Sequence, residues 1–91
     1  MSTTINLPTI LRGHAGGQRT IEVAGMTVGE VFADVWRSYP KLAEQLTSPD
    51  GGLAVFMNVF VDDEDIRYLA GLDTTVDEHT EITILPAVAG G

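Results

Sequence analysis

One stretch of the chain constrains its fold more than any other. Thr27-Val-Gly-Glu30 has the spacing of a capping box: the threonine hydroxyl accepts from the Glu30 N–H, and the glutamate side chain reaches back to the Thr27 N–H. Behind it, Val28, Val31, Phe32, Val35 and Tyr39 fall on one face at helical spacing, and Met26 and Val31 occupy hydrophobic-staple positions. Pro40 disfavours helical geometry in the residue before it, so the spacing ends this helix near Tyr39. Leu42 and Leu46 predict a further helical turn or two. A chain of 91 residues has room for one core. One helix among strands covers one face of a sheet and leaves the other face open.

The strands are legible around that helix. Residues 4–11 and 20–24 alternate apolar and polar side chains, with Ile5, Leu7, Leu11, Ile21 and Val23 inward. Pro8 cannot donate to a ladder and belongs at an edge or bulge. Three glycines and His14 in residues 13–17 read as the short loop of an antiparallel hairpin. Beyond the helix, Ser48-Pro-Asp-Gly-Gly52 is a loop. Ala54 to Val61 is a strand with two apolar faces: Met57, Val59 and Val61 on one, Phe56 and Phe60 on the other with Asn58 between them. Asp62-Asp-Glu-Asp65 is a charged turn, Ile66 to Leu69 a short edge strand, and residues 71–76 an irregular connection. Glu81 to Leu85 is the last strand, with Ile82 and Ile84 inward, Leu85 outward and Pro86 ending it. The expected class is α+β: a β-grasp domain over residues 1–86, with a mixed sheet of four or five strands on one main helix. A flexible tail follows over residues 87–91.

Composition removes several functions. There is no cysteine, so disulfides, thiolate metal sites and cysteine nucleophiles are excluded. Five Lys and Arg face thirteen Asp and Glu, a net charge of −8 that repels nucleic acid and anionic membranes. That charge suits docking onto a basic patch of another protein, or serves solubility alone. No apolar run is long enough to span a membrane, and the first residues lack a basic stretch and apolar block, so a cytoplasmic protein is expected. His14 and His79 fall in separate turns without a serine–carboxylate partnership, and read as solvated. A calcium loop counted from Asp62 needs Gly at its sixth position and Glu at its twelfth; Arg67 and Asp73 stand there instead. The glycine pairs at 16–17 and 51–52 lack the residues of a phosphate loop. No cofactor or metal is expected on this chain.

The end of the sequence stands apart. Gly90 and Gly91 are its last two residues. At an average glycine usage of about 7%, a terminal pair arises by chance in about 0.5% of chains, so the pair reads as functional rather than as a frayed end. Without β-carbons such an end threads a channel too narrow for other residues. Residues 87–91, extended at ~3.3–3.6 Å each, reach roughly 17 Å. They can therefore deliver the Gly91 α-carboxylate into another protein's active site. Phe56, Phe60 and Leu85 are expected to line the open sheet face near this tail, as a docking surface or beneath a neighbouring loop.

The string Ile82-Thr-Ile-Leu-Pro-Ala-Val-Ala-Gly-Gly91 resembles the C-terminus of the ThiS/MoaD family of ubiquitin-like sulfur carriers. The likeness to the CysO-type branch, which serves cysteine biosynthesis, covers nearly the whole chain. It includes Pro8-Thr-Ile-Leu-Arg12, Gly16-Gly-Gln18, Asn58, Asp63-Glu-Asp-Ile-Arg67 and Leu85-Pro-Ala-Val-Ala-Gly-Gly91. The resemblance implies a carrier and not an enzyme. An adenylating, sulfur-transferring enzyme uses ATP to activate the Gly91 carboxylate, and a sulfur donor displaces AMP to leave a thiocarboxylate. Ala87, Val88, Ala89 and Gly90 pass the partner's channel. A cysteine synthase that uses pyridoxal phosphate accepts the sulfur, and a zinc peptidase releases the cysteine formed. Three other classes stay open on the same residues: a subunit of molybdopterin synthase or a thiamin-type carrier, a ubiquitin-like protein modifier, and a binding module whose Gly-Gly is incidental.

Overall fold

Pro8 ends the first strand instead of bulging it. The computed structural model describes residues 2–47 and 57–86. Strand β1 runs Ser2–Asn6 and a helical turn α1 follows at Thr9–Arg12, with Pro8 at its N-cap in extended geometry. Leu11, expected on a strand, is buried from this turn, where its N–H bonds to the Pro8 carbonyl at 3.0 Å. A proline has no N–H for a ladder, but its carbonyl still accepts, and that combination favours a helix start. A 3₁₀ turn, Gly13–Ala15, then leads to Gly16 and Gly17, both with positive φ (69° and 85°). The link between the first two strands is therefore a folded corner, not a short glycine loop.

Strand β2, Thr20–Ala24, buries Ile21 and Val23 as expected. Helix α2 spans Val28–Ser38 with Thr27 as its N-cap; the Glu30 N–H donates to Thr27 Oγ1 at 3.2 Å. The returning half of the box differs: Glu30 Oε1 accepts from the Met26 N–H at 3.0 Å. Met26 is largely exposed, so no staple packs against Val31. Val28, Val31, Phe32 and Val35 are buried, and Tyr39 packs against their cluster. A second helix, α3 at Pro40–Leu46, starts on the proline that stops α2 and buries Leu42, Ala43 and Leu46. Its core share makes the helical layer two elements instead of one.

Strand β3, Met57–Val61, buries Met57, Val59 and Val61 and half-buries Asn58 and Phe60. Asp62 and Asp63 take positive φ (48° and 75°), as a tight hairpin turn of the primed kind needs. The edge strand that follows, β4, is Glu64–Asp65, while Ile66–Tyr68 forms a 3₁₀ turn where the alternation suggested a strand. The Asp65 carboxylate accepts from the Arg67 N–H at 2.8 Å and so starts that turn. A further 3₁₀ turn, Gly71–Asp73, crosses to α2, and β5 runs Glu81–Pro86 with Ile82 and Ile84 buried.

The five strands lie in the order β2-β1-β5-β3-β4. β1 and β5 are parallel (Ile5 opposite Ile82), and every other neighbouring pair is antiparallel. This is the mixed β-grasp sheet, with α2 and α3 on one face.

Gly25, between β2 and α2, is a position the apolar pattern did not single out. A β-carbon there would stand 2.7 Å from the Val31 backbone nitrogen and 2.9 Å from Val31 Cγ2, at a φ of 157°. Val31 belongs to the first turns of α2 and cannot retreat without moving the helix. Gly25→Ala is expected to cost about 2 kcal/mol of stability. Urea unfolding midpoints measure it, and a change under about 0.5 kcal/mol would contradict the close approach.

Candidate functional site at the end of the last strand

The face of the sheet away from the helices is polar over most of its area. Thr4, Asn6, Thr20, Glu22, Glu81 and Thr83 point there by the alternation of their strands. They hold one another: Asn6 Nδ2 donates to Glu81 Oε1 and to Thr83 Oγ1, each at 3.3 Å, and the Ser2 hydroxyl donates to Glu22 Oε1 at 3.1 Å. One corner differs. Phe60 stands opposite Thr83, and Leu85 stands opposite Asn58, on the same face. Phe60 and Leu85 are thus diagonal neighbours, roughly 7–8 Å apart at their backbones. Leu85 is 45% exposed. An exposed leucine beside a phenylalanine at the edge of a polar face is a small apolar platform.

That platform lies where the strand leads out. Pro86, the last described residue, still pairs with Met57. The structure therefore brings Phe60 and Leu85 together next to the start of residues 87–91. Phe56, and the tail residues Ala87, Val88, Ala89, Gly90 and Gly91, lie outside the described residues.

The acidic hairpin adds a rigid flank. Asp65 pairs across from Phe60, and its buried carboxylate accepts from Arg67 Nη2 at 2.6 Å and from Arg67 Nε at 3.1 Å. The hydrogen bonds from the Arg67 side chain, and then from its backbone N–H, hold the Asp65 carboxyl below the ordinary value of 3.8, and the same pairing raises Arg67. Arg67 therefore pairs with the acidic turn. A cleft of ≈ 230 Å³ opens beside this pair, along the edge of β3 that the two-residue β4 leaves uncovered; Met57, Asn58, Ile66 and Leu72 line it.

Elsewhere, Asp34 is lowered first by the Ala24 N–H at 2.8 Å and then by Arg37, and Asp77 first by the His79 N–H at 2.8 Å. All three shifts are downward. Such carboxylates stabilise the fold above their unfolded pKa, and that contribution is lost as pH falls through the lower folded values. Urea midpoints are expected to hold between about pH 7 and about pH 5 and to fall below 3.8. Asp65→Asn is expected to flatten that fall; an unchanged pH slope would contradict the Asp65–Arg67 account.

Nothing at the described part of this site is arranged for catalysis by a side chain. His14 and His79 are both exposed and stand in different turns. Among the described residues no group of three or more His, Asp or Glu is placed to hold a metal ion. Among them, too, no helix is long and apolar enough to cross a membrane. What the described part of the site offers is an apolar corner beside the end of β5.

A mixed sheet in this order, packed on one helical face, defines a ubiquitin-like β-grasp protein. Comparison with known proteins places it: the ThiS family profile matches residues 5–91, and the chain belongs to that family. It is 44% identical over 93 residues to the sulfur carrier protein CysO of Mycobacterium tuberculosis, covering 100% of both chains. The crystal structure of that protein superimposes with a TM-score of 0.86 at 42% identity, over 94% of this chain and 99% of that one. CysO in the BexX/CysO complex of Amycolatopsis orientalis also gives a TM-score of 0.86, at 43% identity over 98% and 99% of the two chains. The small archaeal modifier protein 1 of Methanosarcina acetivorans gives 0.86 at 28% identity, over 99% and 96%. The chain is thus a homologue of sulfur carrier proteins, which are carriers rather than enzymes.

Proposed function

We propose that this chain is a sulfur carrier whose reactive group is the Gly91 α-carboxylate, and that every catalytic side chain resides in its partners. The observation that carries the reading is the placement of Pro86. β5 brings it to the side of the apolar corner, so that residues 87–91 start next to a surface on which a partner can seat. A carboxylate is a poor electrophile, and activation must precede sulfur transfer. In the first step a Gly91 oxygen attacks the α-phosphorus of ATP on an adenylating partner, and pyrophosphate leaves. In the second a sulfur donor attacks the carbonyl carbon, AMP leaves, and the thiocarboxylate remains. Ala87, Val88, Ala89 and Gly90 pass the channel, and Phe56, Phe60 and Leu85 form the seat. ATP, pyridoxal phosphate and zinc belong to partner enzymes; this chain holds none of them.

We assign the sulfur to cysteine biosynthesis, through a pyridoxal-phosphate-dependent cysteine synthase and a zinc peptidase in the cytoplasm. The 44% identity to CysO along the full chain supports this assignment, and the BexX/CysO complex supports a carrier that works by docking on a second protein. Incubation with ATP, the adenylating partner of the same organism and sulfide is expected to raise the intact mass by roughly 16 Da, one oxygen replaced by sulfur. No gain in the presence of an active partner would overturn the reading.

The likeness to small archaeal modifier protein 1 favours one second reading, in which Gly91 forms isopeptide bonds to lysines. Higher-mass conjugates in cell lysates, absent when Gly91 is removed, distinguish that outcome.

A further inference from the structure

The charges of this domain are sorted along its length. β5 is parallel to β1, with Asn6 opposite Thr83, so the chain leaves β1 and β5 at the same end of the sheet. The corner that follows β1 sits at that end. Arg12 donates through Nε to the Leu7 carbonyl at 3.2 Å, and the Leu7 N–H donates to the Arg19 carbonyl at 2.9 Å. The junction of α2 and α3 meets the same corner: His14, Gly16 and Gln18 share a cleft of ≈ 310 Å³ with Ser38, Tyr39 and Lys41. The chain holds four arginines and one lysine. Arg37 and Arg67 are spent on ion pairs with Asp34 and Asp65. The other three, Arg12, Arg19 and Lys41, gather with His14 at the end from which the tail departs. No acidic residue occurs before Glu22, and α3 contributes Glu44 at this end.

Among the described residues, six exposed acids gather at the other end. Where β5 begins, the Asp62 N–H donates to the Glu81 carbonyl at 2.9 Å, and the Glu81 N–H donates to Asp62 Oδ1 at 3.0 Å. The Thr3 hydroxyl donates to the Asp77 carbonyl at 3.0 Å, and the Val76 N–H donates to the Met26 carbonyl at 3.0 Å. These contacts place Glu30, Asp62, Asp63, Asp77, Glu78 and Glu81, all exposed, away from the tail. These six exposed acids therefore stand away from the end at which Pro86 leaves the sheet, opposite to Arg12, Arg19 and Lys41.

We propose that the tail-bearing end is a cationic collar, formed by Arg12, Arg19 and Lys41, which seats on a carboxylate-rich rim around the mouth of the partner's tail channel. The proposal rests on the carrier reading for the identity of that partner. Sorted charge turns the domain as it approaches: the positive end is drawn to the acidic rim and the negative end is repelled, so the tail arrives first. This is an orientation effect on encounter, and salt weakens it. The Debye length falls from about 10 Å at 0.1 M to about 3 Å at 1 M.

The test reverses the collar at two exposed positions, Arg19→Glu and Lys41→Glu together, and follows charging with ATP, sulfide and the adenylating partner of the same organism. At about 50 mM salt the KM for the carrier is expected to rise about tenfold with kcat unchanged, and at about 500 mM salt to differ less than about twofold. Glu78→Lys, at the far end, is expected to leave KM within about twofold. An unchanged KM for the double variant, or a salt-independent rise, overturns the collar. Absence of charging in the wild type overturns the carrier reading instead, and a second readout then still decides the collar. Titration of the ¹⁵N-labelled chain with a hexaglutamate peptide is expected to shift the amides of residues 12–19 and 40–42, and high salt to abolish the shift. Scattered shifts overturn the proposal. So does response to tripolyphosphate alone, which would make the cations a phosphate site. So do the same shifts on raising the chain's own concentration, which would make a second copy the occupant.

Discussion

Removing Gly91 is expected to abolish sulfur charging and to leave thermal unfolding where it was. The expectation follows from dividing the chain at Pro86. Among the described residues the core is built from Ile5, Ile21, Val28, Val35, Leu42 and Ile84 and their neighbours, and the carrier reading gives the last glycine chemistry and no packing. A chain ending at Gly90 presents its carboxylate one residue short, about 3.5 Å from where the partner's nucleotide needs it. Misplacement on that scale removes the geometric advantage of a bound reactant, worth orders of magnitude in rate. A chain lengthened by one alanine after Gly91 is expected to fail in the same way. Intact mass follows charging and calorimetry follows stability. Normal charging of either variant contradicts the role of Gly91, and a fall in Tm of more than about 4 °C, roughly 1 kcal/mol for a domain of this size, contradicts the division.

The second large effect lies on the open face. Leu85→Asp places a carboxylate in the middle of the apolar corner formed with Phe60. If a partner covers that corner, the new charge must be stripped of water without a counter-ion, at a cost of several kcal/mol. The expected outcome is a loss of about 100-fold in kcat/KM for charging, carried by KM, since about 1.4 kcal/mol is a factor of ten. Leu85 is 45% exposed in the free chain, so urea unfolding is expected to move by no more than about 0.5 kcal/mol. Steady-state charging kinetics against carrier concentration read the first, and denaturation reads the second. Retained kcat/KM would place the docking surface elsewhere on the molecule.

Much of this was legible from the amino acids because the local signals agreed with one another. The Thr27–Glu30 box, the apolar stripe behind it and Pro40 each mark a boundary of α2, and the structure places the helix between them. Ile82 and Ile84 point inward and Leu85 outward because alternation on a strand covered on one face leaves no other choice. The departures have equally local causes. Pro8 and Leu11 satisfy a strand pattern and a helix start equally well, and the free carbonyl of Pro8 tips the choice. The residues from Ile66 to Leu69 alone predict an edge strand. The Asp65 carboxylate instead captures the Arg67 N–H and guanidinium, and turns the chain one residue earlier. The two-residue β4 is too short to leave an alternating trace.

The candidate site divides in the same way. Phe60 and Leu85 were visible as outward apolar residues on strands, and the antiparallel register of β3 and β5 makes them neighbours. The cationic end was not visible. Arg12, Arg19 and Lys41 are far apart in sequence, and only the corner after β1 and the junction of the two helices bring them to the end where β5 departs. One signal did lie in the sequence: the first 21 residues carry two arginines and a histidine and no acid, in a chain of thirteen acids.

The central claim is that the main-chain carboxylate of Gly91 carries the sulfur. Fragmentation of the charged protein by tandem mass spectrometry tests it most directly. The account predicts that the gain of roughly 16 Da resides on the C-terminal glycine and on no other residue. A gain located on any side chain, or a charged protein whose Gly91 retains both oxygens, would contradict it.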